Sequence, residues 1–193
     1  MVREHLAIII TSKVENTEQD ALVALINMAY RVGFAGIILD TNDQPFNRVN
    51  ANDVAQMVAS GILLVAKFRG RIVGCVKAVP EVNGSNKVGE WGCLAVAVEE
   101  QRKGIGSQLI DAAEDALRVA GCKTAQLEFL APTMRVHEHK KRLRTYYTEK
   151  RGYALHTGEF ATSTTTLKEG AVLLGRFTMA TDVGFTIYTR ALV

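Results

Sequence analysis

Residues 88–120 constrain this chain more than any other stretch. They read as a strand over 88–98, two glutamates, the run Gln101-Arg102-Lys103-Gly104-Ile105-Gly106, and then an amphipathic helix. The first N–H groups of a helix have no intrahelical partner and lie at the positive end of its dipole. Glycines at 104 and 106 let a ligand approach those groups without meeting a Cβ. A strand feeding such a loop builds an anion site from backbone, and a phosphate or pyrophosphate is its natural guest. The helix spans 104–120, with Ile105, Leu109, Ala112, Ala113, Ala116, Leu117 and Ala120 as one apolar stripe and Gly121 as C-cap. Residues 123–130 then alternate, with Ala125, Leu127 and Phe129 on one side. Strand, helix and strand of these lengths make a right-handed crossover between parallel strands.

Three phosphate loops compete for this segment. The dinucleotide fingerprint needs a third glycine, and Leu109 stands there. A P-loop needs a lysine and a hydroxyl after its second glycine; Gly84 and Gly89 have the spacing, but Glu90-Trp91 follow. The third pattern, Arg or Gln, then x-x-Gly-x-Gly or Ala after a Leu-Ala-Val strand, fits at every position: Leu94-Ala95-Val96, Gln101, Gly104 and Gly106. On these residues the chain resembles the GNAT superfamily of N-acetyltransferases.

The resemblance implies acetyl-CoA as cosubstrate, with backbone N–H groups of Gln101, Arg102, Lys103, Gly104, Ile105, Gly106 and Ser107 around the pyrophosphate. It implies that Leu94, Ala95, Val96 and Val98 offer their backbone to the pantetheine arm as a neighbouring strand would. It also implies one α/β domain over 1–193, with a twisted mixed sheet of six or seven strands and about four helices. Position 102 is often glycine in the family and is Arg here; an arginine there either contacts phosphate or points into solvent.

The rest of the chain fits that frame. Leu6 to Ile10 is a strand, too short for a signal peptide. Asn16-Thr17 can cap a helix with Ala21, Leu22, Leu25, Ile26, Ala29 and Tyr30 inward. A second helix covers 50–60, and a hairpin turns at Arg69-Gly70-Arg71. A basic helix runs over 136–151 with Leu143, Tyr146, Tyr147 and Lys150 at three- and four-residue steps, and Gly152 ends it. Strands are expected over 153–160 and 184–192. Residues 33–50 and 161–181 are the expected acceptor-specificity loops.

Composition excludes several classes. A net charge of +3 is too small to argue for nucleic acid, and no run reaches membrane-span length. Cys75, Cys93 and Cys122 lack metal spacing and read as reduced core residues of a cytoplasmic protein. His137 and His139 lie close together without a carboxylate or cysteine at matching spacing, so no metal is expected. The expected partner is an amine, small or protein-borne, with the protein a monomer or homodimer.

Transfer of an acetyl group from a thioester to an amine needs a base for the amine, a donor for the carbonyl oxygen and a proton for the departing thiolate. Glu90 resembles the position of the family's glutamate base. Strand alternation puts it on one side with Gly92, Leu94 and Val96. Tyr147 resembles the tyrosine that points at the CoA sulfur, although the family commonly places it four residues before the glycine, where Thr148 stands. Either one residue is inserted or the register has moved, and Tyr146 competes. The basic run Arg135, Lys140, Lys141, Arg142 and Arg144 reads first as a solvated helix face. A non-catalytic acyl-CoA-binding module is the alternative function; it needs the loop but neither Glu90 nor Tyr147.

Overall fold

The computed structural model describes residues 8–43, 45–81, 87–156, 177, 179–181 and 183–192. Seven strands form one mixed sheet: β1 (Ile9–Thr11), β2 (Leu63–Phe68), β3 (Arg71–Glu81), β4 (Val88–Val96), β5 (Thr124–Pro132), β6 (Ala154–Leu155) and β7 (Val183–Ala191), in the order β1-β2-β3-β4-β5-β7-β6. Among the described strands only β4 and β5 pair in parallel, as the crossover requires; the other neighbouring strands are antiparallel. Four α-helices accompany the sheet: α1 (Gln19–Gly33), α2 (Ala51–Ala59), α3 (Ile105–Val119) and α4 (Glu138–Thr145).

Local chemistry sets the helix starts. At α2 the Asn50 side chain accepts from the Asp53 amide at 2.9 Å, and the Asp53 carboxylate accepts from the Asn50 amide at 2.9 Å. The expected cap at Asn16-Thr17 is displaced. Residues Asn16–Glu18 form a 3₁₀ turn, and Glu18 accepts from the Glu15 amide at 2.8 Å while its carboxylate holds Lys67 of β2 at 2.7 Å. The tertiary ion pair fixes Glu18 and delays α1 to Gln19.

α3 packs on one face of the sheet and α1 with α2 on the other. The buried face of α3 is Ile105, Leu109, Ile110, Ala113, Glu114 and Leu117; Ala116 and Ala120, assigned to the stripe on periodicity, are exposed. Small size misled there, since alanine fits either face. Close packing needs Gly89, where a Cβ would lie 2.5 Å from Leu117 Cδ2. On the other face, Asn27 of α1 is buried and bonds Val49 twice, donating to its carbonyl at 2.9 Å and accepting from its amide at 3.0 Å. That pair anchors the segment after α1.

The chain after β5 departs most from expectation. The basic helix covers Glu138–Thr145 and continues as a π-helical turn, Tyr146–Lys150, ended by Gly152 at φ 71°. The strand expected over 153–160 is described only as Ala154–Leu155. Residues 157–160, the loop 84–86 and most of 161–181 lie outside the described residues.

A buried polar chain joins these parts. Trp91 Nε1 donates to Tyr153 Oη at 2.6 Å, and Tyr153 Oη donates to Glu114 Oε1 at 2.9 Å. Glu114, 5% exposed, also pairs with Arg190 at 2.9 Å and Arg151 at 3.1 Å. Glu114→Ala strips both arginines of this partner and leaves Tyr153 without its acceptor. It is expected to cost about 3 kcal/mol, read as a lowered urea midpoint. Asp111→Ala, which removes the exposed partner of Arg151, should cost under about 1 kcal/mol.

Candidate active site

The site begins where two strands part. β4 and β5 pair only from Val88↔Thr124 to Glu90↔Gln126. Beyond Glu90 the β4 edge has left β5. A bulge lies just past that point. β3 pairs Lys77↔Gly92 and Cys75↔Ala95, so Cys93 and Leu94 oppose a single residue, and Cys93 takes φ 50°.

The bulge also turns the strand over. Trp91 packs in the α3-side core, whereas Cys93 and Ala95 pack in the α1-side core. Leu94 and Val96 therefore lean toward α3. This corrects the strict alternation: Glu90 does not share a side with Leu94 and Val96. A one-residue bulge reverses facing, and sequence alternation carries no sign of it.

The glycine loop expected to hold phosphate follows. The strand stops at Val96, two residues short of expectation, and Val98 opens a 3₁₀ turn, Val98–Glu100, where it is exposed. Gln101 Nε2 donates to the Val96 carbonyl at 3.2 Å, tying the loop back to the strand end. Arg102 and Gly104 take φ 63° and 85°, and Lys103 pairs with Glu100 at 2.9 Å. Ile105 begins α3, and no side chain caps it among the described residues. A Cβ on Gly106 would find its nearest neighbour at 3.8 Å, the Val96 side chain. An uncapped helix start with open space at two glycines, adjoining a strand edge that has left its neighbour, fits a pyrophosphate with an extended arm.

Glu90 and Tyr147 meet in the cleft below the splay. α1 and the segment after it supply Tyr30, Phe34, Ile38, Phe46 and Arg48; β4 supplies residues 90–94; β5 residues 127–130; α4 and its π turn His139, Lys140, Leu143 and Tyr147. Gln126 Nε2 donates to Glu90 Oε2 at 3.0 Å, which orients the carboxylate.

The two tyrosines now separate. Tyr147 is 7% exposed and edge-on to Trp91 (5.6 Å) and Phe129 (6.2 Å). Burial raises its pKa above the ordinary tyrosine value, so its hydroxyl keeps its proton at neutral pH. Among the described residues that hydroxyl makes no hydrogen bond. Tyr146 is instead engaged outside the cleft, its hydroxyl 2.7 Å from Ser107 Oγ in the first turn of α3. The π turn, closed by Arg151 N–H to the Tyr146 carbonyl at 3.1 Å, takes up one extra residue before Gly152. That matches the extra residue noted in the sequence.

The basic run is only partly a solvated face. Lys141, Arg142 and Arg144 are exposed, and Arg135 is exposed while donating to the Gly36 carbonyl. Lys140 is buried and faces the cleft, with Nζ 3.6 Å from the Phe34 ring centroid. The three-residue step Lys140–Leu143 belongs to the apolar stripe, a signal that charge obscured. His137 caps α4, its ring accepting from the Lys140 amide at 3.4 Å. No metal-holding cluster of His, Cys, Asp or Glu occurs among the described residues. Cys75, Cys93 and Cys122 are all buried, and no disulfide joins them. No described helix is long and apolar enough to cross a membrane.

Solved structures share this fold. N-acetylglutamate synthase from Neisseria gonorrhoeae, complexed with coenzyme A and N-acetyl-glutamate, superposes with a TM-score of 0.66 at 18% identity. The match covers 98% of this chain but 36% of the synthase, so the chain spans about a third of that protein. A Mycobacterium tuberculosis protein in complex with CoA gives 0.61 at 15% identity, over 96% of this chain and 99% of that one. A GNAT-family acetyltransferase from Staphylococcus aureus gives 0.59 at 16%, over 97% and 100%. No curated protein sequence gives a significant match. The sequence profile described as "Acetyltransferase (GNAT) family" matches residues 21–153. With most of its length inside that profile, and with the splayed strands and glycine loop in place, the chain belongs to the acetyltransferase (GNAT) family.

Proposed function

We propose that this protein moves the acetyl group of acetyl-CoA to a primary amine by direct attack in a ternary complex. The observation that carries this is the meeting of Glu90 and Tyr147 in one cleft, at the point where β4 leaves β5. Acetyl-CoA supplies an activated acyl group as a thioester. The first amides of α3 and the loop 101–107 hold its phosphates, and the freed edge of Leu94 to Val96 aligns the arm. Glu90, oriented by Gln126, takes a proton from the amine, directly or through a water. The neutral amine nitrogen then bonds to the carbonyl carbon, the carbon–sulfur bond breaks, and the nitrogen gives up its second proton to solvent to leave the amide. A backbone N–H near Val96 steadies the carbonyl oxygen. Tyr147 gives its proton to the departing thiolate, which leaves as free CoA; solvent resets both side chains. Reduced, buried cysteines fit a cytoplasmic setting for this chemistry.

Steady-state release of CoA thiol over an amine panel tests the proposal. Turnover with at least one amine, and intersecting double-reciprocal lines when both substrates are varied, is the expected result. Parallel lines would point to an acetylated protein in place of direct attack. Tight acetyl-CoA binding without thiol release on any amine would favour the non-catalytic module.

A further inference from the structure

The cleft contains a cation that the transfer chemistry does not use. Lys140 is 7% exposed, yet among the described residues its ammonium meets only rings, lying 3.6 Å from the Phe34 centroid and 5.7 Å from that of Phe129. Among the described residues no carboxylate pairs with it. A buried ammonium without a counter-charge is costly to fold around. Cation–π contact recovers about 2 kcal/mol at best. A chain that needed only packing here would do better with methionine or leucine.

Lys140 is also placed where an acceptor must lie. Lys140, Leu143 and Tyr147 follow one another along the cleft side of α4 and its π turn. A helical rise of 1.5 Å per residue puts Lys140 about 10 Å from Tyr147. Phe34, Ile38, Phe46 and Phe177 form an apolar wall beside it. The cleft thus carries the proton-transfer groups and, about two helical turns back along α4, a buried ammonium beside apolar surface.

We infer that the acceptor is an amine that also bears a carboxylate, and that Lys140 binds that carboxylate while the apolar wall holds the body between the two groups. This rests on the acetyl-transfer reading above and names the substrate class for the same site. Free amino acids and peptides with an acidic group share this chemistry.

The proton balance gives the idea a distinct signature. Burial alone lowers the Lys140 pKa to about 7. A bound carboxylate favours the charged form and raises it again. Binding above neutral pH must then take up a proton, and affinity must be greatest below about pH 7 and fall as the pH rises. Other charged or titratable groups face the same space: His139 and Arg144 on α4, Glu90 and Glu128 on the strands, Lys77 on β3, Arg48 after α1, and the hydroxyls of Tyr30 and Tyr147. The lysine is therefore isolated by substitution and by paired ligands.

The test is calorimetric binding to the protein–CoA complex, which requires no turnover. L-amino acids, their carboxamides and the matching decarboxylated amines form one arm; short peptides with free amino termini, acidic or neutral, form the second. Titrations in buffers of different ionisation enthalpy at pH 8 count protons. We expect at least about tenfold tighter binding of a carboxylate than of its carboxamide, as for a charge-assisted contact, with proton uptake for the carboxylate alone. Lys140→Met, a similar-sized apolar chain, should fold and bring the ratio near one. Lys140→Arg should keep a preference for the carboxylate but abolish the proton uptake. The arm holding the tighter ligands tells free amino acids from peptides. Equal binding of carboxylate and carboxamide, or a preference that survives Lys140→Met, would overturn the inference. Thiol release measured on the same ligands reports separately on the acetyl-transfer reading.

Discussion

Glu90→Gln is expected to lower turnover at pH 7 by about 10²–10³-fold, the range for losing a positioned base. The amide keeps the shape and can still accept from Gln126 Nε2, which lies 3.0 Å from the carboxylate. Fold and acetyl-CoA affinity should therefore stay near wild type. The loss should shrink as the pH rises, because the amine then sheds its proton without help. Tyr147→Phe removes one hydroxyl from a side chain locked between Trp91 and Phe129. It should cost about ten- to a thousand-fold in kcat, with the affinity for acetyl-CoA little changed. Tyr146→Phe acts elsewhere, since it removes the partner of Ser107 Oγ; its expected effect is on cofactor affinity through the first turn of α3. A full loss of kcat in Tyr146→Phe with none in Tyr147→Phe would move the acid by one residue. A pH–rate profile of each variant beside wild type is the measurement.

Gly106→Val should remove the stabilisation that acetyl-CoA confers. At about 100 times its dissociation constant a ligand adds roughly 2.7 kcal/mol, a shift that a melting curve resolves. Gly106 has ordinary helical φ, and its nearest neighbour to a new Cβ is at 3.8 Å, so the apo-protein should tolerate the change. The added methyls stand where a phosphate must approach the helix amides. Losing two or more charge-assisted hydrogen bonds should weaken binding by about 100-fold. Gly104→Val should do as much by a second route. Position 104 has φ 85°, which a β-branched residue adopts only with strain, so the loop itself must shift. If acetyl-CoA raises the melting temperature of both variants as it does wild type, the phosphates bind elsewhere.

The legible and illegible parts of the chain divide on physical lines. Repeating signals were readable. The apolar step of α3, the short helix over 50–60, the hairpin turn and the alternation of β5 each depend on neighbours in sequence. They led to the parallel β4–β5 pair and to the family. The bulge at Cys93 was not readable, because it lies in the register between β3 and β4 and no residue type demands it. It reversed the facing of Leu94 and Val96 relative to Glu90. The π turn left a trace, an extra residue before Gly152, but only the fold showed that the helix absorbs it and sends Tyr146 to Ser107 and Tyr147 to the cleft. Lys140 was hidden by its own charge. A lysine within a basic run reads as solvated, whereas here the packing of α4 against Phe34 and Phe129 buries it. The segment after α1 looked like a divergent loop, yet Ile37, Phe46 and Val49 are core, and the bonds from Asn27 that hold it cross 22 residues.

A single-turnover experiment with acetyl-labelled acetyl-CoA tests the central claim most directly. Enzyme in excess is mixed with the labelled thioester and an accepted amine, quenched at intervals, and the label is located. The account predicts that label passes from CoA to the amine nitrogen in one phase, with none on the protein at any time, and that Glu90→Gln slows that phase without loosening the bound thioester. Label that stays on tightly bound CoA, or that accumulates on the protein before reaching the amine, would contradict it.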